Sequence, residues 1–312
     1  MILLDDIIIK ENNKANYVAL GSFDGLHVGH LSLIRKAIYV AKERNGNSMV
    51  FTYKNHPLSI IKPEFAPKFI MNLQYKLECL KNENVDVVVI RTFTKEFMRM
   101  SPEEFVRILS VDYNVKGIIV GFNFKFGHKN EGDIELLKNL KEKYGYELWV
   151  IDPLKYKEEV ISSTRIRKSI LEGKVNEARN MLSRPYSIRG KVNHGKKLGR
   201  TIGFPTANLG FDERMVIPKI GVYYTNVIWN NSIFKGITSV GHNPTVNGQD
   251  LTIETYILEF DSEIYGQEIE VLFLERIRDE KKFQSLDALV EKLKKDKEFA
   301  IKSKIFIKNI KF

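Results

Sequence analysis

The sequence predicts two domains of different class: an α/β amino-terminal half built on a parallel sheet, and a carboxyl-terminal half forming a small antiparallel β-barrel with a terminal helix. Three observations carry this. The chain has 312 residues, enough for two cores of ordinary size. Up to about residue 151, short β-branched runs alternate with segments whose apolar residues recur every three or four positions. Beyond residue 185 the helical spacing gives way to closely spaced strand-like runs separated by Gly, Pro, Asn and Asp.

In chain order, residues 16–20, 48–52, 85–90, 116–120 and 147–151 read as buried strands. Between them Leu31, Ile34, Ile38 and Ala41 form one helical stripe, as do Leu73, Leu77 and Leu80, and then Ile134, Leu137 and Leu140. Repeated strand–helix–strand units imply a parallel sheet covered on both faces, with ligands at the carboxyl ends of its strands. The loops after Leu20, Thr52 and Val120 are therefore where chemistry is expected. Ser162-Ser163-Thr164 offers a helix start, Gly173 ends that helix, and a second short helix over 175–182 stops before Pro185. This places the boundary at about 184, giving domains 1–184 and 185–312. In the second, 186–192, 221–229, 232–238, 251–260 and 268–273 read as strands of a small barrel. Ser285 caps a final amphipathic helix marked by Leu286, Leu289, Val290 and Leu293.

Composition narrows the function. Hydrophobic residues make up 43% and charged residues 28%, which excludes a mainly disordered or collagen-like chain. The single cysteine, Cys79, excludes an internal disulfide framework and a cysteine-built zinc site, and beside Leu77 and Leu80 it reads as packing. Apolar runs are strand-sized, and the first ten residues lack the features of a signal peptide, so a soluble cytoplasmic protein is expected. The net charge of +10 invites a nucleic-acid reading, but it divides into +6 over 1–184 and +4 over 185–312. Basic runs such as 292–297 are interrupted by acids, as on a solvated helix face. A small polyanion such as a triphosphate suits this charge better than a nucleic acid.

All six histidines lie within two residues of a Gly or Pro, which favours loops. The strongest constellation is Gly21-Ser22-Phe23-Asp24-Gly25-Leu26-His27-Val28-Gly29-His30, leaving the first strand and entering the first long helix. Glycines allow close backbone approach, and a helix N-terminus supplies free N–H groups for phosphate. His27 and His30 can both donate to one phosphate, and a bound anion favours the protonated, doubly donating imidazole. A zinc reading of the pair lacks a third ligand nearby. A separate signal runs from Val192 to Asn208, where Gly195, Gly199 and Gly203 stand among Lys196, Arg200 and Thr201, suggesting a phosphate-cradling loop. Pro205-Thr206-Ala207-Asn208 alone also fits a turn, and Glu254 alone also fits a solvent-facing strand carboxylate opposite Ile253 and Ile257.

The first of these motifs resembles the HxGH nucleotidylyltransferases, and in particular the bacterial bifunctional riboflavin kinase and FAD synthetase family. Gly121-Phe122-Asn123-Phe124-Lys125-Phe126-Gly127, Ile161 to Arg167, Gly203-Phe204-Pro205-Thr206-Ala207-Asn208 and the stretch from Glu254 to Gln267 are similar to further segments of that family, so that nearly the whole chain is covered. The resemblance implies a Rossmann-like adenylyltransferase domain making FAD and pyrophosphate from FMN and ATP, and a flavokinase-like barrel making FMN and ADP from riboflavin and ATP. It implies ATP binding by Gly21, Phe23, Asp24, Gly25, His27 and His30, with Ser163, Thr164 and Arg167 on the outer phosphates, and flavin binding by Asn123 and Phe126. In the barrel it implies ATP binding by Gly195, Lys196, Gly199, Arg200, Thr201, Gly203 and Pro205, Mg²⁺ held through Thr206 and Asn208, and Glu254 as general base. His27 and His30 are the implied catalytic residues of the first reaction. Asn55 before His56-Pro57 and Asn243 before Pro244 depart from the family pattern, the second leaving one kinase-side anion contact open. The expected partners are riboflavin, FMN and ATP, with neither nucleic acid nor membrane among them, and no oligomeric state is assigned. Two alternatives stand beside this reading: a transferase of the same motif acting on another phosphate ester, and a basic nucleic-acid-binding protein.

Overall fold

The computed structural model describes residues 1–7, 14–195, 198–245, 248–281 and 283–306. It contains two compact units, Met1–Lys68 with Asn72–Ser162, and Phe69–Met71 with Ser163–Phe312.

The first unit is a six-stranded, wholly parallel sheet. Its strands are β1 (Ile2–Asp5), β2 (Asn16–Leu20), β3 (Asn47–Tyr53), β4 (Val87–Arg91), β5 (Val115–Gly121) and β6 (Glu147–Ile151), in the order β1-β4-β3-β2-β5-β6. All five residues of β2 are buried, as a strand covered on both faces requires. Helices α1 (Val28–Glu43), α2 (Leu58–Ile61), α3 (Leu73–Asn82), α4 (Lys95–Met98), α5 (Pro102–Arg107) and α6 (Ile134–Tyr144) fill the connections. On α1 the apolar stripe buries Leu31, Ile34, Ala37 and Ala41. The strand order runs one way from β2 through β3 to β4 and the other way through β5 to β6, so the carboxyl ends of β2 and β5 border the switch point. A two-stranded hairpin, β7 (Lys155–Tyr156) with β8 (Glu159–Val160), ends the unit.

The second unit opens with α7 (Ser163–Leu171) and α8 (Val175–Leu182), joined through Gly173 at a φ of +76°. A closed antiparallel barrel follows, β10-β13-β12-β11-β14-β9, from β9 (Tyr186–Asn193), β10 (Thr206–Leu209), β11 (Gly221–Trp229), β12 (Ser232–Thr245), β13 (Gly248–Ile257) and β14 (Glu268–Arg278). A short helix, α9 (Leu198–Thr201), sits in the β9–β10 connection. The terminal helix α10 (Leu286–Lys302) is capped as expected by the Ser285 hydroxyl, which accepts from the Ala288 N–H at 3.2 Å. It is tied to the barrel by Asp296, 1% exposed, which meets Arg278 of β14 at 2.8 Å.

Four elements differ from the expected pattern. Strand β1 was not anticipated, because a four-residue edge strand with one buried side chain has no alternation to read. Strand β10 was read as a possible turn, because its Thr206-Ala207-Asn208 segment carries function where apolar residues would mark a strand. Helices α7 and α8 belong to the second compact unit, since α8 packs on β9 and β14; compactness therefore divides the chain after Ser162, whereas composition suggested 184.

The barrel closes tightly beside the β9–β10 connection. A Cβ on Gly190 of β9 would lie 1.7 Å from the Gly210 carbonyl oxygen, so the two backbones approach where only hydrogen fits. Gly190→Ala should therefore destabilise the fold by roughly 1–3 kcal/mol, the usual cost of overpacking, at the upper end because the obstacle is backbone. Denaturant unfolding followed by circular dichroism would show the lowered midpoint.

Candidate functional site

The connection from β2 to α1 is short and sharply bent. Phe23, Gly25 and Leu26 adopt φ values of +50°, +82° and +40°. Two of these residues are not glycine, and such a conformation costs about 1–3 kcal/mol unless the surroundings enforce it. Here the enforcement is burial, because Phe23 and Leu26 are both 0% exposed. The bend delivers His27 to the N-cap of α1, where its Nδ1 accepts the His30 N–H at 3.2 Å. The two imidazoles stack with centroids 3.5 Å apart, and the Phe23 ring meets His30 edge-on at 5.3 Å. A Cβ on Gly29 would crowd the His27 ring at 3.2 Å. Asp24 is buried at 3% exposure in the same loop. Gly21, Phe23, Asp24, Gly25, His27 and His30 are thus brought together at the switch point. One detail differs: with Nδ1 used as the cap acceptor, His27 offers Nε2 alone as a ring donor, so the doubly donating form expected for both rings breaks the cap in this one.

Beneath this loop lies a residue that sequence reasoning passed over. Lys76 of α3 is 6% exposed, and its Nζ donates to the Ser22 carbonyl at 2.8 Å, with the Thr52 hydroxyl at 3.4 Å. Thr52, at the end of β3, donates to the same carbonyl at 2.9 Å. Burial pulls the Lys76 ammonium down from 10.5 to about 8, and the nearby Asp24 carboxylate offsets part of that fall. Lys76 stands three residues after Leu73 and four before Leu80, on the apolar stripe of α3, but a single lysine there belongs to no motif, which is why it was passed over.

After β5, Asn123 is exposed, whereas Phe126 is 6% exposed and packs in the core against Phe105 and Phe124. Ser163, Thr164 and Arg167 lie in the first turns of α7, within the other compact unit.

In the barrel, antiparallel register builds a second site. Asn208 of β10 stands opposite Glu254 of β13, and Thr206 stands opposite Tyr256, so Thr206, Asn208 and Glu254 share one face. The Thr206 hydroxyl donates to a Glu254 carboxylate oxygen at 3.2 Å. The opposite face of β13 carries Ile253, Thr255 and Ile257 into the core, as the alternation implied. Gly195 admits the Asn208 carboxamide, since a Cβ there would lie 2.2 Å from Nδ2. Gly199 likewise admits the Phe204 carbonyl oxygen at 2.2 Å, and Gly203 has a φ of +79°. Thr201 and Pro205 are exposed in the same connection; Arg200 lies in α9, and Lys196 falls outside the described residues, as do Val246 and Asn247 after Asn243. Alongside runs a cleft of about 380 Å³, bounded by Pro205 and Thr206 on one side and by Phe260, Ile264 and Tyr265 on the other. The 260–265 segment lies within the stretch from Glu254 to Gln267 that resembles the family, but none of its residues was singled out for the site.

Among the described residues, no three His, Cys, Asp or Glu side chains form a cluster suited to a metal, and no helix is long and apolar enough to cross a membrane. The family model described as FAD synthetase matches residues 9–165, and that described as riboflavin kinase matches residues 182–304. The bifunctional riboflavin kinase/FMN adenylyltransferase of Listeria monocytogenes is 38% identical over 285 residues, 90% of each chain. The chain belongs to the bifunctional riboflavin kinase/FMN adenylyltransferase family. The protein of the same name from Bacillus subtilis is 33% identical, over 95% of this chain and 94% of its own. A crystal structure named as a macrolide-efflux protein from Streptococcus pneumoniae shares the fold with a TM-score of 0.88 at 33% identity, covering 97% of this chain and 100% of that one. Riboflavin kinase and FMN adenylyltransferase are therefore the two activities, making FMN and FAD, with ATP and flavins as substrates.

The barrel geometry yields a prediction for the kinase. Gly195→Ala drives its new methyl group into the Asn208 carboxamide, and riboflavin phosphorylation should fall at least tenfold with a far smaller change in unfolding midpoint. A steady-state assay of FMN formation beside a denaturation curve separates the two effects.

Proposed function

We propose that residues 1–184 carry out adenylyl transfer and residues 185–312 carry out riboflavin phosphorylation, each at the site described for it. The observation that carries this reading is that the stacked His27–His30 pair and the Thr206–Asn208–Glu254 face belong to different compact units, each overlapping the matching family model.

In adenylyl transfer an FMN phosphate oxygen attacks the α-phosphorus of ATP and pyrophosphate leaves, so the protein contributes positioning and charge stabilisation. The free N–H groups at the start of α1 and the His27 Nε2–H meet the phosphates. The His27 Nδ1 stays in the cap, and the His30 ring stacks beside it at 3.5 Å. Ser163, Thr164 and Arg167 act on the outer phosphates, while Asn123 meets the flavin and Phe126, packed in the core, supports the loop that holds it.

In phosphorylation the riboflavin 5′-hydroxyl attacks the γ-phosphorus, and Glu254 takes its proton. The Thr206 hydroxyl, donating to the carboxylate, orients it for that role. The cleft beside Pro205 and Thr206 suits ATP, with the glycine-bearing connection before β10 for the phosphates. The Thr206 hydroxyl and the Asn208 carboxamide oxygen would hold Mg²⁺, a hard cation that takes oxygen ligands and retains several waters. When bound there, Mg²⁺ supplies charge neutralisation on the transferred phosphate. Localisation in the cytoplasm, without nucleic-acid or membrane partners, is part of the same proposal.

Double replacement of His27 and His30 by Ala should abolish FAD formation while FMN accumulates from riboflavin and ATP. Glu254→Gln should do the reverse, lowering riboflavin phosphorylation by at least 100-fold and sparing FAD synthesis from added FMN. Chromatographic separation of the flavins reads both. Loss of both activities in either folded variant would contradict the assignment of one reaction to each site.

A further inference from the structure

Burying an ammonium is expensive, and a structural prop under a loop does not need one. The Thr52 hydroxyl already satisfies the Ser22 carbonyl, so an apolar residue at position 76 would fill the space at lower cost. The fold nevertheless places Lys76 on that carbonyl, one residue before the bend at Phe23 that delivers His27. Its neighbours are Ser22 from the loop and Thr52 from β3, both neutral, and the charged group acting on it is Asp24 from the loop. The Asp24 carboxylate offsets only part of the cost of burying this ammonium, and a phosphate held by the turn would offset more of it.

We propose that Lys76 is a positioning residue for adenylyl transfer, clamping the β2–α1 connection through the Ser22 carbonyl and supplying buried positive charge that the nucleotide phosphates complete. This rests on the adenylyltransferase reading of that loop. The ammonium form predominates below about pH 8 in the folded chain and is lost above it. Because the unfolded chain holds this proton up to a pH near 10.5, folding stability rises between the two values as the burial cost is relieved. Nucleotide binding should oppose that loss.

Two measurements test this on the full chain. In Lys76→Met, kcat for FAD formation from added FMN should fall at least thirtyfold with KM for FMN nearly unchanged, and the alkaline decline of the wild-type pH profile near pH 8 should vanish. Circular dichroism and a denaturation curve of the same preparation report that the unit holding Lys76 is folded, and riboflavin phosphorylation reports the same for the barrel. FAD formation within threefold of wild type would overturn the proposal. The second measurement needs no active variant: in wild-type protein carrying ¹³C-ε lysine, with the Lys76 signal assigned by its absence in Lys76→Arg, saturating ATP should raise the titration midpoint by about one unit, equivalent to tenfold tighter ATP binding by the protonated form. An unmoved midpoint would overturn the proposal even if Lys76→Met fails to fold. Wild-type protein that makes no FAD from FMN and ATP would instead overturn the reading of the loop itself.

Discussion

A polyphosphate can be held for in-line transfer only by donors that are in place before it arrives, and in the adenylyl transfer proposed for the first unit that depends on one turn of backbone. Between β2 and α1 the chain must stop running along the sheet, turn through left-handed conformations at Phe23, Gly25 and Leu26, and present its first helical N–H groups at the switch point. Glycine adopts such angles freely, but Phe23 and Leu26 do so because their fully buried side chains anchor them. The His27 cap then fixes the start of α1, and the paired donors on Ser22 fix the start of the bend. The surrounding sheet, with β2 at its centre and fully buried, is the rigid body against which these contacts are made.

The barrel solves the same problem by register. Antiparallel pairing of β10 with β13 sets Thr206, Asn208 and Glu254 on one face without any bend in either strand. The connection before β10 can fold close to that face because Gly195 and Gly199 lack the atoms that would collide with Asn208 and Phe204. Both units therefore use glycine for access and buried residues for rigidity, although one acts on the α-phosphorus and the other on the γ-phosphorus of ATP.

Much of this was legible in the sequence, for identifiable reasons. Strands such as β2 and β4 are covered on both faces and so leave continuous apolar runs, and α1 and α6 leave clean stripes. The Gly21–His30 and Gly203–Asn208 motifs stand out because Gly, Asp and His crowd where structure alone would not require them. What was hidden depended on partners distant in sequence. The edge strand β1 exists through pairing with β4, and β10 through pairing with β9 and β13. The cap role of the His27 Nδ1 depends on rotamer, and Lys76 gains its meaning only from Ser22 and Thr52. Helices α7 and α8 read as part of the α/β half because their own pattern does not reveal which unit they pack on.

On this reading one chain performs two transfers on different phosphorus atoms of ATP. The most direct test is to incubate the protein with riboflavin, Mg²⁺ and ATP labelled at either the α- or the γ-phosphorus, and to follow the label in separated flavins. The account predicts γ-label in FMN and in the FAD made from it, and α-label in FAD alone. Label from the α-position in FMN, or FAD formed without it, would contradict the account.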